Sequence, residues 1–88
     1  MPWRRCPAAE RIPATPADRR TVAWLRATFP AGRFDSSACA EAAARWYAAG
    51  HPRTAGVPVG ERAWRQRLRL LWYTGLVEKH GWYRVAKG

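Results

Sequence analysis

Long basic and amide side chains recur along one face of residues 61–73. At 100° per residue, positions 62, 66, 69 and 73 fall in one narrow sector of a helix. Arginine can hold the O6 and N7 atoms of guanine with two hydrogen bonds, glutamine can do the same for adenine, and both can contact phosphate. The chemistry that this face suits is the recognition of a polyanion. The row consists of Arg62, Gln66, Arg69 and Tyr73, and it is flanked by Arg65 and Arg67.

The opposite face of the same segment is apolar. Trp64, Leu68 and Leu71 fall together on it. The segment is therefore predicted to be an amphipathic helix, which Gly75 is suited to end. Residues 62–77 contain no acid. A surface selected only for solubility usually mixes both signs of charge, so this pattern favours binding over a merely solvated face.

A β-hairpin is predicted after this helix. The β-prone runs Leu76–Glu78 and Trp82–Val85 are separated by residues 79–81, which end in glycine. Because neighbouring residues of a strand point to opposite sides, one of Trp82 and Tyr83 must face outward. The basic side chains near the tip or outer face of this hairpin are Lys79, His80 and Arg84.

A first helix is predicted to run from Pro16 to about Phe29. Thr15 supplies a capping hydroxyl, proline occupies the first helical position, and Asp18 places a negative charge in the first turn. The inner stripe of this helix is predicted to be Val22, Leu25 and Phe29, with Trp24 on its flank.

A second helix is predicted to begin after Asp35 or Ser36 and to end at Gly50. Arg33–Phe34 before it is compatible with a very short strand. Residues 50–60 after it form a loop by composition. The inner stripe of this helix is predicted to be Cys39, Ala42, Ala43 and Trp46.

Residues 1–15 contain three prolines and three arginines without an apolar period. They are predicted to form an N-terminal arm that is extended or disordered when free. Arg4 and Arg5 are candidate contacts to a phosphate backbone or a minor groove. The alternative is a solvated tail, with Trp3 docked on the domain.

Composition narrows the class of protein. The 88 residues carry 16 Lys+Arg against 6 Asp+Glu, a net charge of +10, and every base except Lys79 and Lys87 is an arginine. This length supports one domain with a modest core.

Cys6 and Cys39 do not suggest a disulfide scaffold or a metal site. No cofactor motif and no nucleophile with a base occurs in the sequence, so we expect no catalysis. With no secretory signal or membrane span evident, we expect no membrane contact and an intracellular, nucleoid-associated location.

The order of helix, short strand, helix, loop, basic helix and hairpin resembles that of winged helix-turn-helix domains, especially small prokaryotic or phage-type ones. The resemblance covers residues 16–86 in layout and is most specific over residues 61–85. It implies a mainly α fold (α+β) of three helices with a two- or three-stranded antiparallel wing. The third helix would enter a major groove of DNA, and the wing would touch the adjacent backbone or minor groove. The implied DNA-binding residues are Arg62, Arg65, Gln66, Arg69, Tyr73, Lys79, His80 and Arg84.

One departure from this resemblance is the connection between the second and third helices. It has about ten residues, where the compact motif has three or four, and this length loosens the angle between the two helices. Because one small domain contacts only a few base pairs, specific affinity would call for a homodimer or a partner protein.

Three functions are therefore compatible with the sequence. The favoured one is binding of double-stranded DNA, as a small transcriptional regulator or as an accessory protein. The second is a protein-interaction module that docks on a nucleic-acid-processing enzyme or a repressor through Leu70, Tyr73 and the aromatic wing. The third is RNA binding, which charge alone does not distinguish from DNA binding.

Overall fold

The computed structural model of the protein describes residues 2–87, which form three α-helices followed by a two-stranded antiparallel hairpin. The fold is mainly helical and belongs to the α+β class, which confirms the predicted order of helices and hairpin. No helix within the described residues has both the length and the apolar character needed to cross a membrane. The elements are α1 (Pro16–Thr28), α2 (Ser36–Ala48), α3 (Glu61–Tyr73), β1 (Val77–His80) and β2 (Trp82–Val85), with a 3-10 turn at Ala8–Glu10.

The first two helices begin at side-chain caps. The Thr15 hydroxyl accepts a hydrogen bond from the Asp18 backbone N–H at 3.1 Å, and the Asp18 carboxylate accepts one from the Thr15 N–H at 2.9 Å. This reciprocal pair satisfies two N–H groups that the helix itself leaves unpaired. Asp35 caps α2 by accepting a hydrogen bond from the Ala38 N–H at 2.8 Å. Both predicted starting points are confirmed.

The core lies where the three helices meet the hairpin. Trp64, Leu68 and Leu71 of α3 are fully buried and pack with Leu25 of α1. Trp24 stacks on Trp64 with ring centroids 5.3 Å apart. Large aromatic side chains therefore fill a core that the many alanines alone would leave small. The predicted inner stripes of α1 and α2 are confirmed in their buried members, which are Val22, Leu25, Cys39, Ala42 and Ala43.

The hairpin is tighter than the sequence suggested. β1 continues through His80, which pairs with Trp82, and the turn is centred on Gly81 with a φ of +70°. The expectation that Lys79 and His80 separate the two strands is therefore wrong, because both residues pair within the sheet and Gly81 supplies the left-handed conformation at the turn. Phe34 exchanges two backbone hydrogen bonds with Tyr83, of 2.9 and 2.8 Å. The short strand expected at Arg33–Phe34 is therefore present only as this isolated bridge.

The N-terminal arm packs against the domain instead of extending from it. Arg4 forms an antiparallel bridge with Lys79, Cys6 is fully buried, and the Ile12 N–H donates to the Tyr73 carbonyl at 3.0 Å. The arm therefore pairs backbone groups at the free edge of β1 and the end of α3, which would otherwise face water alone. Met1 of the predicted arm lies outside the described residues.

The connection from α2 to α3 is anchored along its length. Val57 and Gly56 are buried within it. The Thr21 hydroxyl donates to the Gly56 carbonyl at 2.6 Å, and the Tyr47 hydroxyl donates to the Val57 carbonyl at 2.5 Å. A long connection is compatible with a defined arrangement of the two helices because side chains from α1 and α2 hold its backbone.

Candidate functional site

A cationic groove runs between α3 and the hairpin, and the N-terminal arm closes one end of it. Its volume is about 560 Å³. Three separate parts of the chain supply its walls, so only the folded protein assembles it. We call it the central groove. The residues that line it are Arg4 from the arm, Arg65, Arg69, Trp72 and Tyr73 from α3, and Lys79 and Tyr83 from the hairpin.

The geometry of the groove follows from helix and strand periodicity. Arg65 and Arg69 are four residues apart, so they lie one above the other on the flank of α3 that faces the hairpin. Lys79 and Tyr83 are directly paired across the two strands and therefore share one face. The Lys79 ammonium lies 5.9 Å from the centre of the Tyr83 ring. The bridge to Lys79 brings Arg4 to the same place.

The charge of the central groove is one-sided. Four of its seven lining residues are cations, and no acid among the described residues lines it. Glu61 pairs with Arg65 at 3.3 Å, but both side chains are exposed, at 51% and 69%. Such an exposed pair contributes little and is easily exchanged for another anion. The groove is thus a site of positive potential in which Arg69, Arg4 and Lys79 have no charged partner among the acids described.

Tyr83 gives the groove a neutral hydrogen-bonding group. Burial raises the pKa of Tyr83 above its ordinary value of 10.0, while the nearby Arg69 guanidinium acts in the opposite direction. The phenol therefore keeps its proton throughout the neutral range and can donate a hydrogen bond to an anion. Arg69 and Tyr83 line the same groove, one from α3 and the other from the hairpin.

Three of the four residues of the predicted row lie on the exposed side of α3. Arg62, Gln66 and Arg69 are exposed, and only Arg69 among them reaches the central groove. Tyr73 is half-buried and packs edge-on against Trp72, with ring centroids 5.2 Å apart. The row therefore extends the cationic surface from the groove along the outer face of α3.

Two predicted hairpin residues lie on the other face of the hairpin. Arg84 donates from Nε to Glu78 Oε1 at 2.8 Å and stacks over Trp3 at 4.6 Å. His80 packs edge-on against the same indole with ring centroids 5.9 Å apart. The structure therefore separates Arg84 and His80 from Lys79, because successive side chains of a strand point to opposite sides. Trp3 therefore docks on the domain at this face. Docking of Trp3 was one of the two interpretations of the arm in the sequence analysis.

Two more arginines are turned away from the central groove. Arg67 was expected on a flank of the cationic row, but it is half-buried and donates to the Thr21 hydroxyl at 3.4 Å. Its helical position, next to the buried face, directs it toward α1. Arg5 donates from Nε to the Gly75 carbonyl at 3.1 Å and so binds the chain just after α3.

Sequence reasoning did not include Tyr83 and Trp72 in the site, and it gave Arg4 only a secondary place. The alternation of strand residues offered a signal for Tyr83, because Trp82 and Tyr83 had to face opposite ways. Trp82 is the outward one, 43% exposed, with Arg33 over its ring at 5.4 Å. The position of Arg4 had no local signal, because it depends on a bridge between distant parts of the chain.

Comparison of the chain with protein-family models, with curated proteins and with solved structures found no match. Within residues 2–87, no group of three or more His, Cys, Asp and Glu side chains is arranged to hold a metal ion.

Proposed function

We propose that this chain is a winged-helix protein that binds double-stranded DNA, with α3 in the major groove and the hairpin as the wing. Its role would be that of a small transcriptional regulator or a DNA-binding accessory protein. The observation that carries the proposal is the central groove, where four cations from the arm, α3 and the hairpin converge without an acid among the described residues. Convergence of this kind provides contacts to several phosphates at once.

The two cationic surfaces of α3 suggest different tasks. Arg65 and Arg69, with Arg4 and Lys79 facing them, would contact the phosphate backbone from inside the groove. Arg62 and Gln66 face outward along the helix, outside the groove, where they could reach base edges. An α-helix with its side chains is about 10–12 Å wide, which matches a major groove about 12 Å wide.

The proposal predicts a specific dependence of affinity on salt. If the four groove cations each neutralise one phosphate, the plot of log affinity against log salt has a slope of about −3.5. The measurement is fluorescence anisotropy of a labelled duplex from a randomised pool, at several salt concentrations. Comparison of individual sequences from that pool then reports whether the outward row distinguishes base pairs.

A pair of double variants separates the groove from general charge. Arg65→Ala/Arg69→Ala should reduce the salt slope by about 2 and the duplex affinity by about tenfold or more. Arg45→Ala/Arg53→Ala removes the same charge from the exposed surface of α2 and its following loop, and it should change the slope far less. Equal effects of the two double variants on a folded protein would contradict the groove as the binding site.

One observation supports the alternative of a protein-interaction module. Leu70 and Trp82 are 44% and 43% exposed and are large enough to serve as apolar anchors for a partner protein. Absence of duplex binding even at low salt would favour this alternative over the DNA proposal. Stronger competition by duplex RNA than by duplex DNA would instead identify RNA as the ligand.

A further inference from the structure

A second cationic surface lies along α1 and shares no lining residue with the central groove. One part of it is a groove of about 290 Å³ that includes Arg5, Arg19 and Arg26. A second groove, of about 220 Å³, shares Arg26 and adds Lys87. Because Arg26 and Ala86 line both, the two grooves adjoin each other. We call this surface, made of Arg5, Arg19, Arg26 and Lys87, the α1 track.

The N-terminal arm separates the α1 track from the central groove. Arg4 lines the central groove and Arg5 lines the α1 track. Adjacent residues of an extended chain point to opposite sides, so the arm directs one arginine to each surface. The hydrogen bond from Arg5 Nε to the Gly75 carbonyl fixes this side chain in place. Among residues 2–87, none lines both surfaces.

The dimensions of the α1 track suit an extended polyanion. Arg19 and Arg26 are seven residues apart on the same face of α1, which places their backbones about 10 Å apart along the helix. Lys87 extends the line beyond the end of β2. No acid from the described part of the chain lines either groove. A single phosphate ion would meet only part of this surface, whereas a nucleic-acid backbone presents charges along all of it.

We propose that the α1 track binds the backbone of a second DNA duplex, so that one protein molecule bridges two duplexes. The inference rests on the proposed function, because the central groove is taken to hold the first duplex. Duplex DNA is favoured over an acidic protein segment because the cations form a line and three of the four are arginines, which suit contacts with phosphate. Bridging also requires no dimer, since both surfaces belong to one chain.

The test is a two-duplex capture assay with the full chain. One short duplex is immobilised, a second of the same sequence carries a fluorophore, and the protein is added at low salt. Wild-type protein should retain the fluorescent duplex on the surface. Arg19→Ala/Arg26→Ala should reduce this capture by at least about tenfold while its affinity for a single duplex changes by less than about threefold. Arg45→Ala/Arg53→Ala is the control of equal charge and should capture normally.

The possible results separate this inference from the proposed function. Binding of one duplex by the wild type without capture of a second would contradict bridging alone. Normal capture by Arg19→Ala/Arg26→Ala would also contradict it, as would sedimentation data showing that capture requires a protein dimer. A wild type that binds no duplex at all would contradict both proposals. Loss of capture in Arg19→Ala/Arg26→Ala, with normal capture in Arg45→Ala/Arg53→Ala, would support both proposals.

Discussion

Arg4 and Lys79 exchange two backbone hydrogen bonds, each 2.8 Å long, although they stand at opposite ends of the chain. The Arg4 carbonyl also accepts a hydrogen bond from Trp72 Nε1 at 3.3 Å. These contacts make the N-terminal arm part of the hairpin edge and of the end of α3. They also make Arg4 part of the lining of the central groove, so that the arm contributes to both stability and the site.

Two substitutions at Arg4 are expected to separate these contributions. Arg4→Ala keeps the backbone bridge and removes the guanidinium, so the salt slope of duplex binding should fall by about 1 with little loss of stability. Arg4→Pro also removes the N–H that donates to Lys79, which should lower the free energy of unfolding by about 1 kcal/mol or more. Thermal unfolding and anisotropy titrations measure the two effects. Equal stability of both variants would show that the bridge does not hold the arm.

Much of the helical framework could be predicted because its signals are local. The Thr15 and Asp35 caps fix where α1 and α2 begin, and the apolar period of residues 64–71 identifies the buried side of α3. Each of these features involves residues within two helical turns of each other, so neither topology nor partners are needed to recognise them.

The assembly of the candidate site could be predicted only in part. The cationic face of α3 can be recognised in the sequence. That Arg69, Tyr83 and Arg4 line one groove depends on how three distant segments pack. The burial of Cys6 and Val57 was missed for the same reason: Cys6 lies in a proline-containing arm and Val57 in a loop with proline and glycine, and neither segment has an apolar period. Tertiary contacts, not local propensity, order these segments.

The end of α3 offers a test of how tightly the arm packs. Gly75 has a φ of +78°, and a Cβ there would lie 2.7 Å from Arg11 Nε, which itself donates to the Cys6 carbonyl at 2.8 Å. Gly75→Ala should therefore lower the free energy of unfolding by more than the roughly 1–2 kcal/mol expected from the backbone conformation alone. Chemical denaturation measures this loss.

Gly81→Ala is the matched control, because Gly81 has a similar φ of +70° and no atom lies within 4 Å of the added Cβ. Combining Gly75→Ala with Arg11→Ala should recover part of the extra loss, since the obstructing side chain is then gone. Additive effects of the two substitutions would contradict an energetic coupling between Gly75 and Arg11.

Cys39 should be unreactive while the protein is folded. Burial raises the pKa of its thiol from the ordinary 9.0 to about 12, and the neighbouring Asp35 carboxylate adds to the increase. The neutral thiol is the favoured form in the fold, so its contribution to stability is complete below about pH 9 and is lost as the pH rises toward 12. In a Cys6→Ala background, alkylation by iodoacetamide at pH 8 should be slow without denaturant and fast with it. Rapid alkylation of the folded protein would contradict the burial of Cys39.

The electrostatic influence of Arg69 on Tyr83 across the central groove can be tested without any ligand. Burial raises the pKa of Tyr83 and the Arg69 charge partly opposes that rise, so Arg69→Gln should move the titration to still higher pH. NMR titration of ¹³C-labelled tyrosine resolves Tyr83 from the other two tyrosines of the chain. Arg62→Gln removes a similar charge from the outer face of α3, outside the central groove, and should leave the titration nearly unchanged. Equal shifts of the Tyr83 pKa in the two variants would mean that Tyr83 responds to the total charge of the protein. Such a result would contradict the placement of Arg69 and Tyr83 in one groove between α3 and the hairpin.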